Sequence, residues 1–143
     1  MGIKTKKFNN WQISYLNKVE LDEMLNELYG KNYYNWQTGK TDPVIFDVGA
    51  LIGETVLFFK GQFPKSQITA FEPSPRSFSL LKRNVSQNRL TEVRLINAAV
   101  AKNEGTMNFF TSKSETNPWG RGDSIKENKF NNKLNSKIVR VKT

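Results

Sequence analysis

The sequence predicts an α/β domain built on a parallel sheet with helices on both faces, and three observations carry that prediction. A short β-branched run, Val44 to Val48, feeds an Asp47-x-Gly49-x-x-x-Gly53 turn. Helical periodicity follows at once: Ile52, Val56, Phe59 and Phe63 recur at spacings of four, three and four residues. A second apolar run, Gln67 to Phe71, then ends in Glu72.

Taken in order, the chain divides into a lead-in over residues 1–42 and a sheet-forming part over 43–143. The lead-in is expected to be helical from about Trp11 to Trp36, since Leu21, Met24, Leu25 and Leu28 fall on one helical face and Gly30 is placed to stop it. Gly39-Lys40-Thr41-Asp42-Pro43 is turn material before the first strand, Val44–Val48. Pro64 closes the helix after the glycine turn. Ser74-Pro75 supplies a hydroxyl N-cap followed by proline at the first helical position, and Phe78, Leu81 and Val85 form that helix's inner stripe. Val93 to Val100 reads as a third strand. Strand, helix, strand, helix, strand implies two right-handed crossovers and parallel pairing. Beyond Val100, Asn103-Glu104-Gly105 is a turn, Thr106–Thr111 a short returning strand, 112–136 a polar loop, and Ile138–Val141 one more strand.

Composition narrows the chemistry. A chain of 143 residues suits one domain. It contains no cysteine and no histidine, so disulfides, thiolate metal sites and thiol nucleophiles are excluded, and any proton transfer by this chain falls to Asp, Glu, Lys or Tyr. No apolar run reaches membrane-spanning length and no apolar stretch follows the charged N-terminus, so a cytoplasmic location is expected. The formal net charge is +9, spread along the chain with mild clusters at Lys4, Lys6 and Lys7 and from Lys126 to Lys142. Dispersed charge of this kind is a solvated surface before it is a nucleic-acid site.

The candidate site lies on the strand-to-helix turn. Gly49 and Gly53 clear side chains from a backbone that ends in the free N–H groups of a helix start. Dinucleotide sites have G-x-G-x-x-G here, with a pyrophosphate on the helix. Asp47 stands in place of the first glycine, and a carboxylate would repel a pyrophosphate while suiting a ligand that carries an ammonium group. S-adenosylmethionine has an ammonium, a sulfonium and no phosphate. Glu72 follows Gly53 at about the spacing at which a strand-end carboxylate accepts ribose hydroxyls. The plainer alternatives are that Asp47 caps the turn and Glu72 faces solvent. Asn97, with small Ala98 and Ala99 beside it, could read an adenine edge or simply satisfy backbone groups at a strand end.

Phe46 through Gly53, Ala70 through Pro75, and Leu95 through Val100 with Glu104-Gly105 and Phe109 together resemble the FkbM-type family of class I S-adenosylmethionine-dependent methyltransferases, over roughly Pro43 to Phe110. The resemblance implies a Rossmann-like fold and methyl transfer to a hydroxyl oxygen of a sugar or other small molecule. By motif position, Asp47, Gly49, Ala50 and Gly53 would surround the methionine part, Glu72 would hold the ribose, and Asn97 and Ala98 would border the adenine. Leu51 departs from the pattern, which usually has Asn there. No catalytic base and no metal ligand is assigned.

In that family the segment like Val139–Thr143 precedes a Lys-x-Asp-x-Glu-Gly strand that lies beside the first strand. The sequence carries no such motif, so the C-terminal half of the sheet is expected to be missing and Val44–Val48 to be an open edge, available for self-association or a partner chain. The second reading is therefore a non-catalytic nucleoside-binding fragment or pseudoenzyme completed by a partner. A third is an RNA methyltransferase, motivated by the charge. A nicotinamide dehydrogenase is disfavoured by Asp47. Arg121-Gly122-Asp123 is a chance tripeptide in a loop, Asn84-Val85-Ser86 is a glycosylation sequon inside an expected helix, and Trp11, Trp36 and Trp119 are packing residues first.

Overall fold

The computed structural model describes residues 2–31, 33–34, 36–112 and 136–143. The expected loop between the last two strands, with Trp119 and Arg121-Gly122-Asp123, lies outside the described residues.

The N-terminal lead-in corrects the expectation of a helix from Trp11. It opens with an antiparallel hairpin, β1 (Lys4–Phe8) and β2 (Trp11–Tyr15), paired Lys4 to Tyr15 through Phe8 to Trp11. The turn is made by Asn9, at φ 51°, and Asn10; asparagine tolerates the left-handed region better than most residues. The apolar residues of Trp11-Gln12-Ile13-Ser14-Tyr15 alternate with polar ones at the strand period, and this overrides any helical reading. Helix α1 (Lys18–Leu25) starts only at Asn17, whose side chain accepts from the backbone N–H of Val19 and Glu20, and it runs into a single π-helical turn, Asn26–Gly30. The stripe of Leu21, Met24, Leu25 and Leu28 is buried as expected.

The central sheet has the order β3 (Val44–Val48), β4 (Gln67–Phe71), β5 (Val93–Ile96), all parallel. The third strand ends at Ile96, short of Val100. Helices α2 (Glu54–Gln62) and α3 (Pro75–Gln87) make the two crossovers. Ser74 caps α3 as the sequence indicates, its hydroxyl accepting from Ser77 N–H. Ile45, Ile68 and Ala70 pack with Val56 of α2 and Leu81 of α3, with Val93 and Leu95 against them, so both helices lie on one face of the sheet. Of the two helical layers expected, the described residues supply this one. The alternate residues of β3 point the other way and remain open: Val44, Phe46 and Val48 are 62%, 67% and 62% exposed. A separate antiparallel pair, β6 (Thr106–Ser112) and β7 (Ser136–Lys142), joins the returning strand to the last one. The bond from Ala99 N–H to Lys142 O, 2.8 Å, ties this pair to the end of the central sheet.

The hairpin is held against α3 by side-chain amides. Asn84 is fully buried: its Oδ1 accepts from Ser14 N–H at 2.7 Å, and its Nδ2 donates to Ser14 O at 3.0 Å and to Ile52 O at 2.7 Å. One side chain therefore joins the hairpin, α3 and the glycine turn. Its burial also disposes of the glycosylation sequon, because a 0% exposed asparagine inside a helix offers no acceptor.

Candidate cofactor site

The turn after β3 is built as the glycines require. Gly49 has φ 84° and Gly53 φ 90°, both in the region that favours glycine. Gly49 and Ala50 donate to Phe71 O at 2.9 and 3.0 Å, which anchors the turn on the end of β4. The two glycines serve different ends. A Cβ on Gly53 would sit 2.6 Å from Leu81 Cδ1, so Gly53 is where α3 comes close. A Cβ on Gly49 would meet nothing within 4 Å, so Gly49 faces open space. Gly53→Ala is accordingly expected to destabilise the fold by roughly 1–3 kcal/mol, through left-handed strain and displacement of Leu81. Urea denaturation of the two single variants should show the larger loss at Gly53 and a loss from backbone strain alone at Gly49.

Glu72 does not face solvent. Its residue is 2% exposed, and its Oε2 accepts from Leu51 N–H at 2.9 Å while Oε1 accepts from Ser74 N–H at 2.7 Å. The carboxylate thus clasps the glycine turn to the start of α3. An ionised carboxylate has about four acceptor positions, the chemistry that a pair of hydroxyl donors requires. Asp47 lies where β3 ends. Thr55 Oγ1 donates to its Oδ2, and burial raises its pKa above the ordinary aspartate value.

Asp47, Gly49, Leu51, Glu54, Thr55, Glu72 and Pro73 line one cavity of about 750 Å³, which extends along β3 to Val44 and is bounded on the far side by Met24, Leu28, Tyr34, Trp36 and Phe59. Of the residues singled out from the sequence, Asp47, Gly49 and Glu72 reach it. Ala50 is buried in the core beneath the turn, and Gly53 is turned toward Leu81. Asn97 Nδ2 donates to Glu72 O at 2.7 Å and to Pro73 O at 3.2 Å, fixing the backbone that carries Glu72. Neither Asn97 nor Ala98 lines the cavity. Among the described residues no group of three or more His, Cys, Asp or Glu could hold a metal ion, and no helix is long and apolar enough to cross a membrane.

No family model matches the sequence. Curated proteins do. The methyltransferase sdnD of Sordaria araneosa is 30% identical over 99 residues, 67% of this chain and 38% of that protein. The 31-O-demethyl-FK506 methyltransferase FkbM of Streptomyces tacrolimicus is 30% identical over 106 residues, 71% of this chain and 40% of that protein. Over these residues the chain is similar to FkbM-type methyltransferases. It spans 38% and 40% of the lengths of these two relatives. Among solved structures, TYW2 of P. horikoshii in complex with MeSAdo superposes with a TM-score of 0.51 at 17% identity, over 68% of this chain and 36% of that one, a likeness of fold.

The FkbM-type pattern makes one local feature intelligible. Leu51 adopts φ 46°, a left-handed conformation that a leucine rarely takes and an asparagine takes readily. The Asn expected at this position would suit the backbone, and Leu51 is held in it by Glu72, which accepts from its N–H.

Three residues of the site were missed in the sequence. Thr55 had a signal, a hydroxyl eight residues after Asp47 on the first turn of the helix. Asn84 had a weaker one, a polar residue three positions after Leu81 on an apolar stripe. Glu54 had none, since an acidic residue at a helix start is favoured whatever its burial. It is 6% exposed in the cavity wall, its Oε2 has no hydrogen-bond partner among the described residues, and burial pushes its pKa up to about 8.

Proposed function

We propose that this chain supplies the cofactor-binding half of an S-adenosylmethionine-dependent methyltransferase whose acceptor is a hydroxyl oxygen of a sugar or other small molecule. The observation that carries this reading is the cavity wall itself: a glycine whose missing Cβ leaves open space, flanked by Asp47 on one side and Glu72 on the other. A nucleoside without phosphates fits these residues, and a dinucleotide does not. Glu27, Asp47 and Glu72 line the cavity with no Lys or Arg beside them, among the described residues, so a pyrophosphate or an RNA backbone would meet no balancing positive charge there. The cofactor, when bound, supplies an electrophilic methyl on a sulfonium. The chain's own residues hold it: Gly49 admits the ligand to the backbone, Glu72 accepts from ribose hydroxyls, and Asp47, oriented by Thr55, faces the cationic end. Asn97 acts behind them by fixing the strand end under Glu72. Methyl transfer to oxygen in the FkbM-type relative's name supports the acceptor class.

Calorimetric titration with S-adenosylmethionine and S-adenosylhomocysteine tests the reading. Saturable binding of both is expected, and Gly49→Ala should weaken it by about tenfold or more, equivalent to about 1.4 kcal/mol, measured at a temperature where the strained variant is still folded. Absence of binding to either nucleoside would reject the proposal.

A second reading, a cofactor-binding unit that is catalytic only when a partner chain completes the sheet, is favoured by the exposed face of β3. Val44, Phe46 and Val48 form an exposed apolar face on β3, and β3 is the outer strand of the described sheet, a combination that folded proteins usually pair or cover. Binding without methyl transfer, with activity gained on adding a partner, distinguishes it from the first.

A further inference from the structure

Glu54 is the one buried acid at the site that the reading above leaves without work. It begins α2, lines the cavity, and is almost fully buried. Its Oε2 lacks any hydrogen-bond donor among the described residues. The charged groups that act on it are Asp47 at the end of β3, Glu20 in α1 and Glu72 after β4, and all three are carboxylates. The backbone of Glu54 itself supplies a hydrogen bond to the carboxyl, but burial outweighs it. A buried acid with one oxygen unpartnered and only carboxylates as charged neighbours is stable as the neutral acid and becomes an anion when a positive charge arrives nearby.

The proposed reaction removes such a charge. The donor carries a sulfonium, an ammonium and a carboxylate. On transfer the carbon–sulfur bond breaks with its electron pair staying on sulfur, the carbon–oxygen bond forms, and the acceptor's hydroxyl proton leaves to solvent. The product keeps its ammonium and carboxylate but has a neutral thioether, one positive charge fewer. Resting on the function proposed above, we infer that Glu54 makes this cavity discriminate the cationic donor from the neutral product. It ionises as the donor binds and takes its proton back once the sulfonium is gone, so the spent cofactor is held less tightly than the fresh one. Asp47 is hydrogen-bonded by Thr55, and Glu72 is held by two backbone N–H groups, so neither has an unmatched oxygen of the kind Glu54 has.

The ordinary glutamate pKa lies near 4.5 and that of Glu54 near 8, so in the free protein at neutral pH Glu54 carries a proton that can be displaced. Titrating the 143-residue chain at pH 7.5 in buffers of different ionisation enthalpy should therefore show more protons released with S-adenosylmethionine than with S-adenosylhomocysteine. In Glu54→Gln that difference should vanish. The variant should bind S-adenosylmethionine about three- to tenfold more weakly, with S-adenosylhomocysteine and the uncharged 5′-methylthioadenosine changed by less than about twofold. Equal proton release for donor and product in the wild-type chain would overturn the inference, and this holds even if the variant does not fold. Equal weakening of both ligands in a folded Glu54→Gln would also overturn it, leaving the proposed function intact. Failure of the wild-type chain to bind any of the three nucleosides would overturn the function and the inference together.

Discussion

Asn84→Ala is expected to lower the stability of the chain by roughly 2–5 kcal/mol, a loss on the scale of emptying a core position. The truncation removes a hydrogen bond from each of three backbone groups, Ser14 N–H, Ser14 O and Ile52 O, and leaves Gln87 Nε2 with only its bond to Gln12 O. Asn84 and Ser14 are both fully buried, so no water replaces the lost partners without opening the contact between the hairpin and α3. Domains of this size are stable by about 5–15 kcal/mol, so the loss approaches what the chain can bear. The neighbouring Asn88 is the control. It makes a similar set of bonds, to Gln12 N–H, Gln12 O and Asn84 O, but on the exposed side, where water substitutes. Asn88→Ala should cost about 1 kcal/mol or less. Urea midpoints for the two variants, with near-ultraviolet dichroism of Trp11 as a reporter of the hairpin, check the contrast. An Asn84→Ala loss no greater than that of Asn88→Ala would show that the hairpin does not depend on the buried amide. The consequence for the site is direct: the bond to Ile52 O leaves the glycine turn with one support fewer, so nucleoside affinity should fall with stability.

Asn84 also shows where a sequence stops being readable. Local periodicity locates it on the inner face of α3, and there the information ends. Its partners are seventy residues and thirty-two residues away in the chain, and no pattern along α3 encodes them. The same limit separates the parts of the fold that were legible from those that were not. The alternation from Val44 to Ile96 is dictated locally: β-branched runs, a Ser-Pro cap, glycines at positive φ and helical stripes all agree, and the structure follows them within a few residues. The hairpin before it was masked because Lys4, Lys6 and Lys7 hide the alternation of β1, and because the strand is held by its mate and by α3 rather than by its own propensity. Within the site, the motif residues Asp47, Gly49 and Glu72 were legible because chemistry demands them at fixed intervals. Glu72's grip on Leu51 and Ser74 was not, since hydrogen-bond partners depend on how the turn folds back over the strand end. Glu54 was the least legible of all. A glutamate at the first position of a helix is favoured for its interaction with the helix dipole whether it is exposed or buried, and only the closure of α1 and the turn around it decides which.

That burial sets the second large effect. Glu54 is protonated in the folded chain up to about pH 8 but only to about 4.5 when unfolded. Between these values the folded state binds more protons than the unfolded one. Stability is therefore fully retained below the unfolded pKa and is lost as pH rises through the folded one, by up to about 1.4 kcal/mol per pH unit. Asp47, raised in the same direction by burial, adds to the loss from the ordinary aspartate value upward. Asp22 has the opposite sign: its bonds to Lys18 and Lys6 hold its pKa down, so its contribution disappears on acidification, and as an exposed group it weighs little. The free wild-type chain should accordingly be least stable on the alkaline side. Glu54→Gln, which keeps the shape and cannot ionise, should flatten most of that slope. It should leave the chain within about 1 kcal/mol of wild type at pH 5 and more stable by a few kcal/mol at pH 9. Urea denaturation of both proteins from pH 5 to 9 measures this without any ligand. Parallel curves across that range would mean that Glu54 is already ionised at neutral pH, with its charge matched within the folded chain. The crossing of the two curves, where the glutamate becomes the costlier side chain, would give the pH above which its retention serves the bound cation and no longer serves the fold.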